Sequence, residues 1–216
     1  MSAGDAEILA PDGRRLGRRA QETRRRLLDA AAALLESHGV LDLKVVEIAR
    51  RVGTSPATFY QYFRDVDEAV LALAEEAGEE IAPIANLVHG EWDGSSGLGT
   101  SRALVDGFMR YWDTHRAVLR TRNLAAQEGD ERFREVRVRT LSAITDPLAA
   151  RIAEFQRDGR LPPTITPYAA AAAMVAMMER MAAFHFEFEA RGVSRGAMVE
   201  TLTTIVRQVV TGSATD

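Results

Sequence analysis

Three features of the sequence predict an all-α fold. Apolar residues recur at the i, i+3, i+4 spacing of a helix through most of the chain, above all from Thr100 to the end. The pairs Ser55-Pro56 and Thr166-Pro167 have the order of an N-cap followed by the first helical residue. Hydrophobic residues make up 46% of the 216 residues, which is ample for a core. We expect a three-helix N-terminal domain and a larger helical C-terminal domain.

The first predicted helix covers residues 20 to 38. Leu27, Ala31 and Leu34 repeat at helical spacing, with Leu35 beside them, and they form one apolar face. The next two helices would pack on this face.

Residues 45 to 64, VVEIARRVGTSPATFYQYFR, predict two short helices joined by a tight turn. The first carries an i, i+3, i+4, i+7 apolar face made of Val45, Ile48, Ala49 and Val52. Gly53 can end that helix in the left-handed conformation, and Ser55 with Pro56 can start the next one. Such a pair is typical of a helix-turn-helix, whose second helix enters the DNA major groove. The alternative is an ordinary αα-hairpin.

An arginine-rich segment precedes this pair. Gly13 to Arg26 contains seven arginines and one acid, Glu22, which suits a polyphosphate partner. Residues 13 to 64 hold 11 Lys and Arg against 5 Asp and Glu, a net charge of +6, whereas the whole chain carries −4. A basic N-terminal part on an acidic body is typical of a DNA-binding protein with a second task. A solvated or targeting tail is the other interpretation of the arginines.

The segment from about Arg24 to Val70, with RLLDAAAALLESHG, VVEIARRVGTSPATFYQYF and DEAVLAL, resembles the DNA-binding domain of the TetR family of transcriptional regulators. Two positions depart from the family pattern. Lys44 stands where a threonine or serine usually caps the first helix of the motif, and Val66 stands where a lysine usually contacts phosphate. The rest of the chain resembles the family in helix layout and length.

The predicted DNA contacts lie on the second helix of the motif and in the basic arm. Thr58 and Gln61 are three residues apart, hence on one face, and glutamine can read adenine. The resemblance implies that Tyr60 contacts phosphate and Tyr62 is partly buried. Arg50, Arg51 and Lys44 are expected to add positioning contacts that carry no sequence information. The full set is Arg14, Arg15, Arg18, Arg19, Lys44, Thr54, Ser55, Ala57, Thr58, Tyr60 and Gln61.

The C-terminal helices follow from capping and proline signals. Asp65 and Glu68 have the spacing of a capping box and start a helix to about Val88, with a kink at Pro83. A loop is expected over residues 90–99. Further helices are predicted over 101–115, 116–128, 130–158 with a kink at Pro147, 166–191 and 194–210.

Large or polarizable apolar side chains on several of these helices indicate a pocket for a hydrophobic small molecule. Asn123 is the candidate polar anchor. A filled core is the alternative interpretation. The candidate lining is Phe108, Tyr111, Trp112, Leu119, Asn123, Ile144, Met174, Met177, Met178 and Phe184.

The last two helices are candidates for a homodimer interface. The Ala-rich run AAAAAMVAMMERMAA permits close helix approach, and an apolar stripe follows the last helix. Paired DNA-binding helices require two-fold symmetry. Packing within one chain is the alternative. The stripe is Val199, Leu202, Ile205, Val206, Val209 and Val210.

Several functions are disfavoured by the sequence. Cysteine is absent, so disulfides and thiolate metal sites are excluded, and no catalytic or cofactor motif is present. We therefore expect no enzyme, no cofactor, no metal and no membrane span, and we expect a cytoplasmic protein. A helical adaptor without DNA binding, or a small helical enzyme, is the rival function.

The predicted division is a flexible basic arm (1–19), a helix-turn-helix domain (20–64) and a helical ligand-binding and dimerisation domain (65–216). The resemblance implies a one-component repressor that binds a palindromic operator as a dimer. We expect a ligand in the C-terminal core to shift the helix that starts at Asp65 and so to release operator DNA.

Overall fold

The computed structural model describes residues 10–38 and 43–212. Within those ranges the chain forms ten α-helices and a short 3-10 helix, which confirms the predicted all-α class. Residues 1–9 of the predicted arm and residues 39–42 of the predicted helix-turn-helix domain lie outside the described ranges.

The first three helices follow the sequence prediction. They are α1 (Arg18–His38), α2 (Val45–Val52) and α3 (Pro56–Tyr60). The predicted apolar face of α1 is buried, since Leu27 and Ala31 have no exposed surface. Helix α2 contacts both α1 and α3. The apolar periodicity therefore located the core of this part of the chain.

The helix that begins after Asp65 is shorter than expected. Helix α4 (Val66–Glu79) is followed by α5 (Ala82–Asn86) and a 3-10 helix over Leu87–His89. Pro83 lies in the first turn of α5 instead of kinking one long helix. The N–H groups in the first turn of a helix have no acceptor within that helix, so a proline, which lacks an N–H, breaks no hydrogen bond there. The start of a helix is therefore a favoured position for proline.

The region predicted as a loop is largely helical. Helix α6 (Gly94–Gln127) starts four residues after Gly90, and Trp92 is buried with its Nε1 donating to the Val88 carbonyl at 2.9 Å. At Gly97 an added Cβ would lie 1.9 Å from the Trp92 carbonyl oxygen, so only glycine fits there. The expected division near residue 115 appears as a non-helical His115 inside α6.

The remaining helices are α7 (Glu131–Arg157), α8 (Pro167–Ala183), α9 (His185–Glu189) and α10 (Arg195–Thr211). Pro147 lies inside α7 without dividing it. Helix α8 ends earlier than predicted because Phe184 leaves the helical conformation, with φ −122° and ψ 19°.

The chain forms two compact units. Among the described residues, the first comprises those up to 76 and residues 117–134, and the second comprises residues 77–116 and 135–212. The structure therefore groups α4 up to Glu76, and the residues around the α6 to α7 turn, with the helix-turn-helix. Helices α4, α6 and α7 each contribute residues to both units.

An ion-pair network ties three helices of the second unit together. Arg195, at the start of α10, pairs with Asp106 and Asp113 of α6, each at 3.1 Å. Burial alone would lower the pKa of Arg195, but the hydrogen bonds that it donates to both carboxylates raise it. Arg116 pairs with Asp113 at 2.8 Å and donates to the carbonyl of Ala183, the last residue of α8, at 2.8 Å. The network fixes the register of α6, α8 and α10.

Candidate nucleic-acid interface and candidate ligand core

The turn between α2 and α3 has the conformation that the sequence predicts. Gly53 has φ 74° and ψ 35°, in the left-handed region, and the Thr54 N–H donates to the Ala49 carbonyl at 2.9 Å. The guanidinium of Arg26 also donates to the Val52 carbonyl at 2.7 Å. These bonds satisfy carbonyls at the end of α2 that have no partner within the helix. The angle between α2 and α3 is thus fixed by local bonds.

Ser55 caps α3. The Thr58 N–H donates to Ser55 Oγ at 3.2 Å, and the Ser55 and Thr58 hydroxyl oxygens lie 3.1 Å apart. Pro56 occupies the first turn, as predicted. The Ser55 hydroxyl therefore has a structural task, and its contact with DNA stays a prediction.

The two sides of α3 differ sharply. Phe59 and Phe63 are buried, with ring centroids 5.4 Å apart, while Tyr62 is half-buried. On the other side Tyr60 is 54% exposed and Gln61 is exposed. The apolar side attaches the helix, which leaves the polar side available to a ligand.

The remaining predicted contacts of the motif are accessible to different degrees. Lys44 and Ala57 are exposed, whereas Thr54 and Thr58 are half-buried. Lys44 occupies the N-cap of α2 and makes no side-chain capping bond. The departure from the family pattern therefore leaves α2 without a side-chain cap and leaves the Lys44 ammonium exposed for a phosphate.

Three of the seven arginines serve the fold. Arg25 bonds to Glu76 of α4 and to Asp29, each at 2.6 Å. Arg24 lies over the Phe63 ring, 5.1 Å from its centroid, and 4.0 Å from Glu76. Burial lowers the pKa of Arg24, and the Asp29 hydrogen bond raises that of Arg25. With Arg26 on the Val52 carbonyl, these guanidiniums are occupied inside the first unit.

The other four arginines are exposed. Arg14, Arg15, Arg18 and Arg19 have exposed side chains before and within the first turn of α1. Arg18 lies 3.4 Å from Glu22, in a fully solvated pair of little energetic worth. A separate cleft of ≈ 300 Å³ is lined by Leu34 of α1 and by Glu47, Arg50 and Arg51 of α2.

The sequence did not reveal which arginines bond to the protein itself and which have exposed side chains. The partner Glu76 lies 51 residues from Arg25, so no local pattern joins them. The one available signal was helical register, because Arg24 shares a face with Leu27, Leu28 and Ala31.

Most of the predicted ligand lining is buried. Phe108, Tyr111, Trp112, Ile144, Met174 and Met178 are buried in the second unit, while Met177 and Phe184 are half-buried there. Burial alone does not distinguish a pocket from a filled core. The indole Nε1 of Trp112 is more informative, since it is buried and has no hydrogen-bond partner among the described residues.

Two predicted lining residues belong to the first unit. Leu119 is buried and Asn123 is half-buried there. The Asn123 side-chain oxygen accepts two bonds from Arg122, at 3.0 and 3.1 Å. That oxygen is thus already bonded, and the role of Asn123 as a polar anchor stays a prediction.

Searches of the described residues for other sites were negative. No group of three or more histidines, cysteines or carboxylates in that part of the chain could hold a metal ion. No helix among the same residues combines the length and the apolar character that crossing a membrane requires.

Comparison with known families gave two matches. Residues 27–73 match the model described as "Bacterial regulatory proteins, tetR family", and residues 84–215 match "Tetracyclin repressor-like, C-terminal domain". An uncharacterised helix-turn-helix transcriptional regulator of Haemophilus influenzae is 30% identical over 134 residues, which is 61% of this chain and 64% of that relative. The match therefore spans less than two thirds of the relative.

Solved structures share the fold. A tetR-family regulatory protein from Rhodococcus RHA1 superposes with a TM-score of 0.68, covering 90% of this chain and 99% of its own, at 16% identity. FadR of Bacillus subtilis, in complex with stearoyl-CoA, superposes with a TM-score of 0.63, covering 88% and 98%, at 14% identity.

The division of the arginines can be tested with two substitutions. Arg24→Gln removes a half-buried cation from Phe63 and Glu76 and should lower the free energy of unfolding by about 1 kcal/mol, seen as a lower melting temperature. Duplex-DNA affinity of the folded fraction should stay within about twofold. Arg19→Gln is the matched control, and it should leave the melting temperature unchanged while weakening duplex binding and reducing its salt dependence. An Arg24→Gln protein that keeps its melting temperature but loses duplex affinity, with an Arg19→Gln protein that does the opposite, would contradict this division of the arginines.

Proposed function

The chain belongs to the tetR family of bacterial regulatory proteins, and from this we propose that it is a repressor that binds a palindromic operator as a homodimer and is released by a hydrophobic small molecule. It is a transcriptional regulator with a helix-turn-helix DNA-binding domain. Regulators of this family are not enzymes. The cytoplasm, where the chromosome is accessible, is the location that the proposal requires.

The observation that carries the proposal is the two-sided character of α3. Its apolar side is held by Phe59, while Tyr60 and Gln61 face away from the core. An exposed glutamine can form a bidentate pair with adenine in the major groove. Thr58 is half-buried and its hydroxyl lies beside Ser55, so we assign it a supporting contact. Tyr60, Lys44 and the four exposed arginines supply sequence-independent phosphate contacts.

Selection of bound sequences from a pool of random duplexes tests this assignment. The selected sites should be palindromic, with half-sites about one DNA turn apart or a multiple of it. Gln61→Ala should relax selection at one position per half-site and cost about 1 to 3 kcal/mol on the selected operator. Lys44→Gln is the control, since it should weaken all duplexes alike. Unchanged selection with Gln61→Ala would refute the role of Gln61.

The dimer proposal rests on faces of α8 and α10 that the chain leaves uncovered. Ala169, Ala173 and Ala176 are exposed at helical spacing on α8, while Met174, Val175 and Met178 pack inside. On α10, Ile205 and Val209 remain half-buried, although Val199, Leu202, Val206 and Val210 are already buried within one chain. Small residues allow two helices to approach closely, so these faces suit a four-helix contact between two copies.

Ala176→Glu should convert the dimer to a monomer, because it places a carboxylate in the middle of the proposed contact. Ala150→Glu is the matched control, since Ala150 is an exposed helical alanine on α7 outside the proposed faces. Sedimentation at micromolar concentration measures the outcome. If Ala176→Glu and the wild type sediment alike, the interface lies elsewhere.

The effector proposal uses residues of the second unit. Phe108, Ile144, Met174 and Met178 supply apolar walls, and the Trp112 indole N–H is a buried donor with no partner among the described residues. An unpaired buried donor is costly, so a ligand with an oxygen acceptor gains by pairing with it. The complex of FadR from Bacillus subtilis with stearoyl-CoA makes long-chain acyl compounds the first class to test.

We propose that α4 carries the signal. Glu76 of α4 bonds to Arg25 of α1, and the last residues of α4, from Ala77 to Glu79, belong to the unit with the proposed ligand core. A ligand that displaces the end of α4 would disturb the helix-turn-helix through Glu76. The protein would exchange between an arrangement that binds operator DNA and one that does not. The ligand can shift this equilibrium only by the difference between its affinities for the two arrangements.

Thermal shift with fatty acids and acyl-CoA compounds tests the effector site. A bound compound at about 100 times its Kd should stabilise the protein by about 2.7 kcal/mol. Trp112→Phe keeps the aromatic wall and should shrink that shift. Trp92→Phe is the control, because Trp92 bonds to Val88 and should lower stability without changing the shift. Equal shifts in all three proteins, or equal operator affinity with and without the compound, would contradict the proposal.

A further inference from the structure

Residues Ala10 to Arg14 form a closed turn ahead of α1. The Gly13 N–H donates to the Ala10 carbonyl, and the Ala10 N–H donates to the Arg14 carbonyl, both at 2.8 Å. The Arg14 N–H also donates to Asp12 Oδ1 at 3.0 Å. Gly13 has φ +80°, which L side chains rarely adopt. Three hydrogen bonds and one glycine thus define the conformation of residues 10–14, which lie within the segment 1–19 that the sequence predicts as a flexible arm.

The segment from Ala10 to Leu16, which contains the turn, is anchored at both ends. Ala10 is 6% exposed and Leu16 is 3% exposed, although the residues between them are exposed. The Leu16 carbonyl accepts a hydrogen bond from Gln21 Nε2 at 3.0 Å, in the first turns of α1. The turn is therefore attached to the folded protein.

The anchored segment displays cations to solvent. Arg14 and Arg15 lie in it, and Arg18 and Arg19 follow directly in α1. Arg14 faces one acid, Asp12, at 3.7 Å from its Nε, in a pair that is two-thirds exposed on both sides. Such a pair contributes little in water, so a phosphate can replace the carboxylate at small cost.

We propose that this turn is a preformed DNA-contacting element, in which Gly13 and Leu16 are positioning residues that hold Arg14 and Arg15 for the phosphate backbone. The inference rests on the proposed function and deepens it. An arm that orders only on DNA loses backbone entropy at that moment, whereas a turn already closed in the free protein has lost it on folding. Arg14 and Arg15 therefore bind DNA with a smaller loss of backbone entropy than arginines on a disordered tail.

Gly13→Ala is the direct test, and Gly17→Ala is its matched control. A Cβ at either position meets no atom within 4 Å, but only Gly13 has a positive φ. Gly13→Ala thus strains the turn without a steric clash. With a labelled mixed-sequence duplex of about 30 base pairs at about 50 mM salt, it should weaken binding roughly three- to tenfold and lower the salt slope, while Gly17→Ala matches the wild type.

A double-mutant cycle separates positioning from general damage. In an Arg14→Gln/Arg15→Gln background, Gly13→Ala should have no further effect on affinity, because the residues that it positions are gone. Leu16→Ala is the second variant. It should also weaken duplex binding in the wild-type background and have no further effect in the Arg14→Gln/Arg15→Gln background. An undiminished Gly13→Ala effect in the double background would overturn the inference.

The outcomes distinguish this inference from the proposed function. If wild-type protein binds no duplex, the proposed function fails. If wild type binds and both Gly13→Ala and Leu16→Ala bind equally well, with unchanged salt slopes, the turn only stabilises the start of α1 and the inference fails. Circular dichroism and the melting temperature confirm that each variant tested is folded.

Discussion

The packing of Phe59 and Phe63 beneath α3 is the contact on which the DNA-binding surface depends. A helix of five residues is far too short to be stable alone, because nucleation costs more than a few backbone bonds return. Burial of two aromatic side chains supplies the missing free energy, of the order of 1.5 to 3 kcal/mol each. The Gly53 turn and the Ser55 cap then fix the direction of the helix. Gln61 and Tyr60 face outward as a consequence.

The same region shows how one residue type divides between two tasks. Arg24, Arg25 and Arg26 tie α1 to Phe63, Glu76 and the end of α2, whereas Arg14, Arg15, Arg18 and Arg19 keep their side chains exposed. Guanidinium suits both tasks because its N–H groups can donate to carboxylate, carbonyl and phosphate oxygens. The net charge of the region still favours DNA, but fewer arginines carry that attraction than the sequence count indicates.

Sequence patterns predicted the helix ends and turns that are set by residues adjacent to them in the chain. The C-terminal end of α2, the turn at Gly53 and the start of α3 follow from capping and backbone preferences of the residues themselves. The early end of α8 at Phe184 did not follow, because Arg116, which bonds to the Ala183 carbonyl and to His185, is 67 residues distant from Ala183 in the chain. The helical start at Gly94 did not follow either, because the local glycines and serines favour a loop, whereas the observed start depends on the buried Trp92. For the ligand core, periodicity found buried residues correctly, yet a buried methionine looks the same in sequence whether it lines a pocket or fills one. Trp112 differs only through an unpaired hydrogen-bond donor, which sequence cannot show.

Titration of the wild-type protein with a random-sequence duplex over a range of salt concentrations tests the central claim most directly. The proposed DNA-contacting surface of Lys44, Tyr60 and four exposed arginines predicts binding at low salt. The logarithm of the association constant should fall linearly with the logarithm of the salt concentration, by about 0.9 per phosphate neutralised. Absence of binding in dilute buffer, or binding that salt does not weaken, would contradict the account.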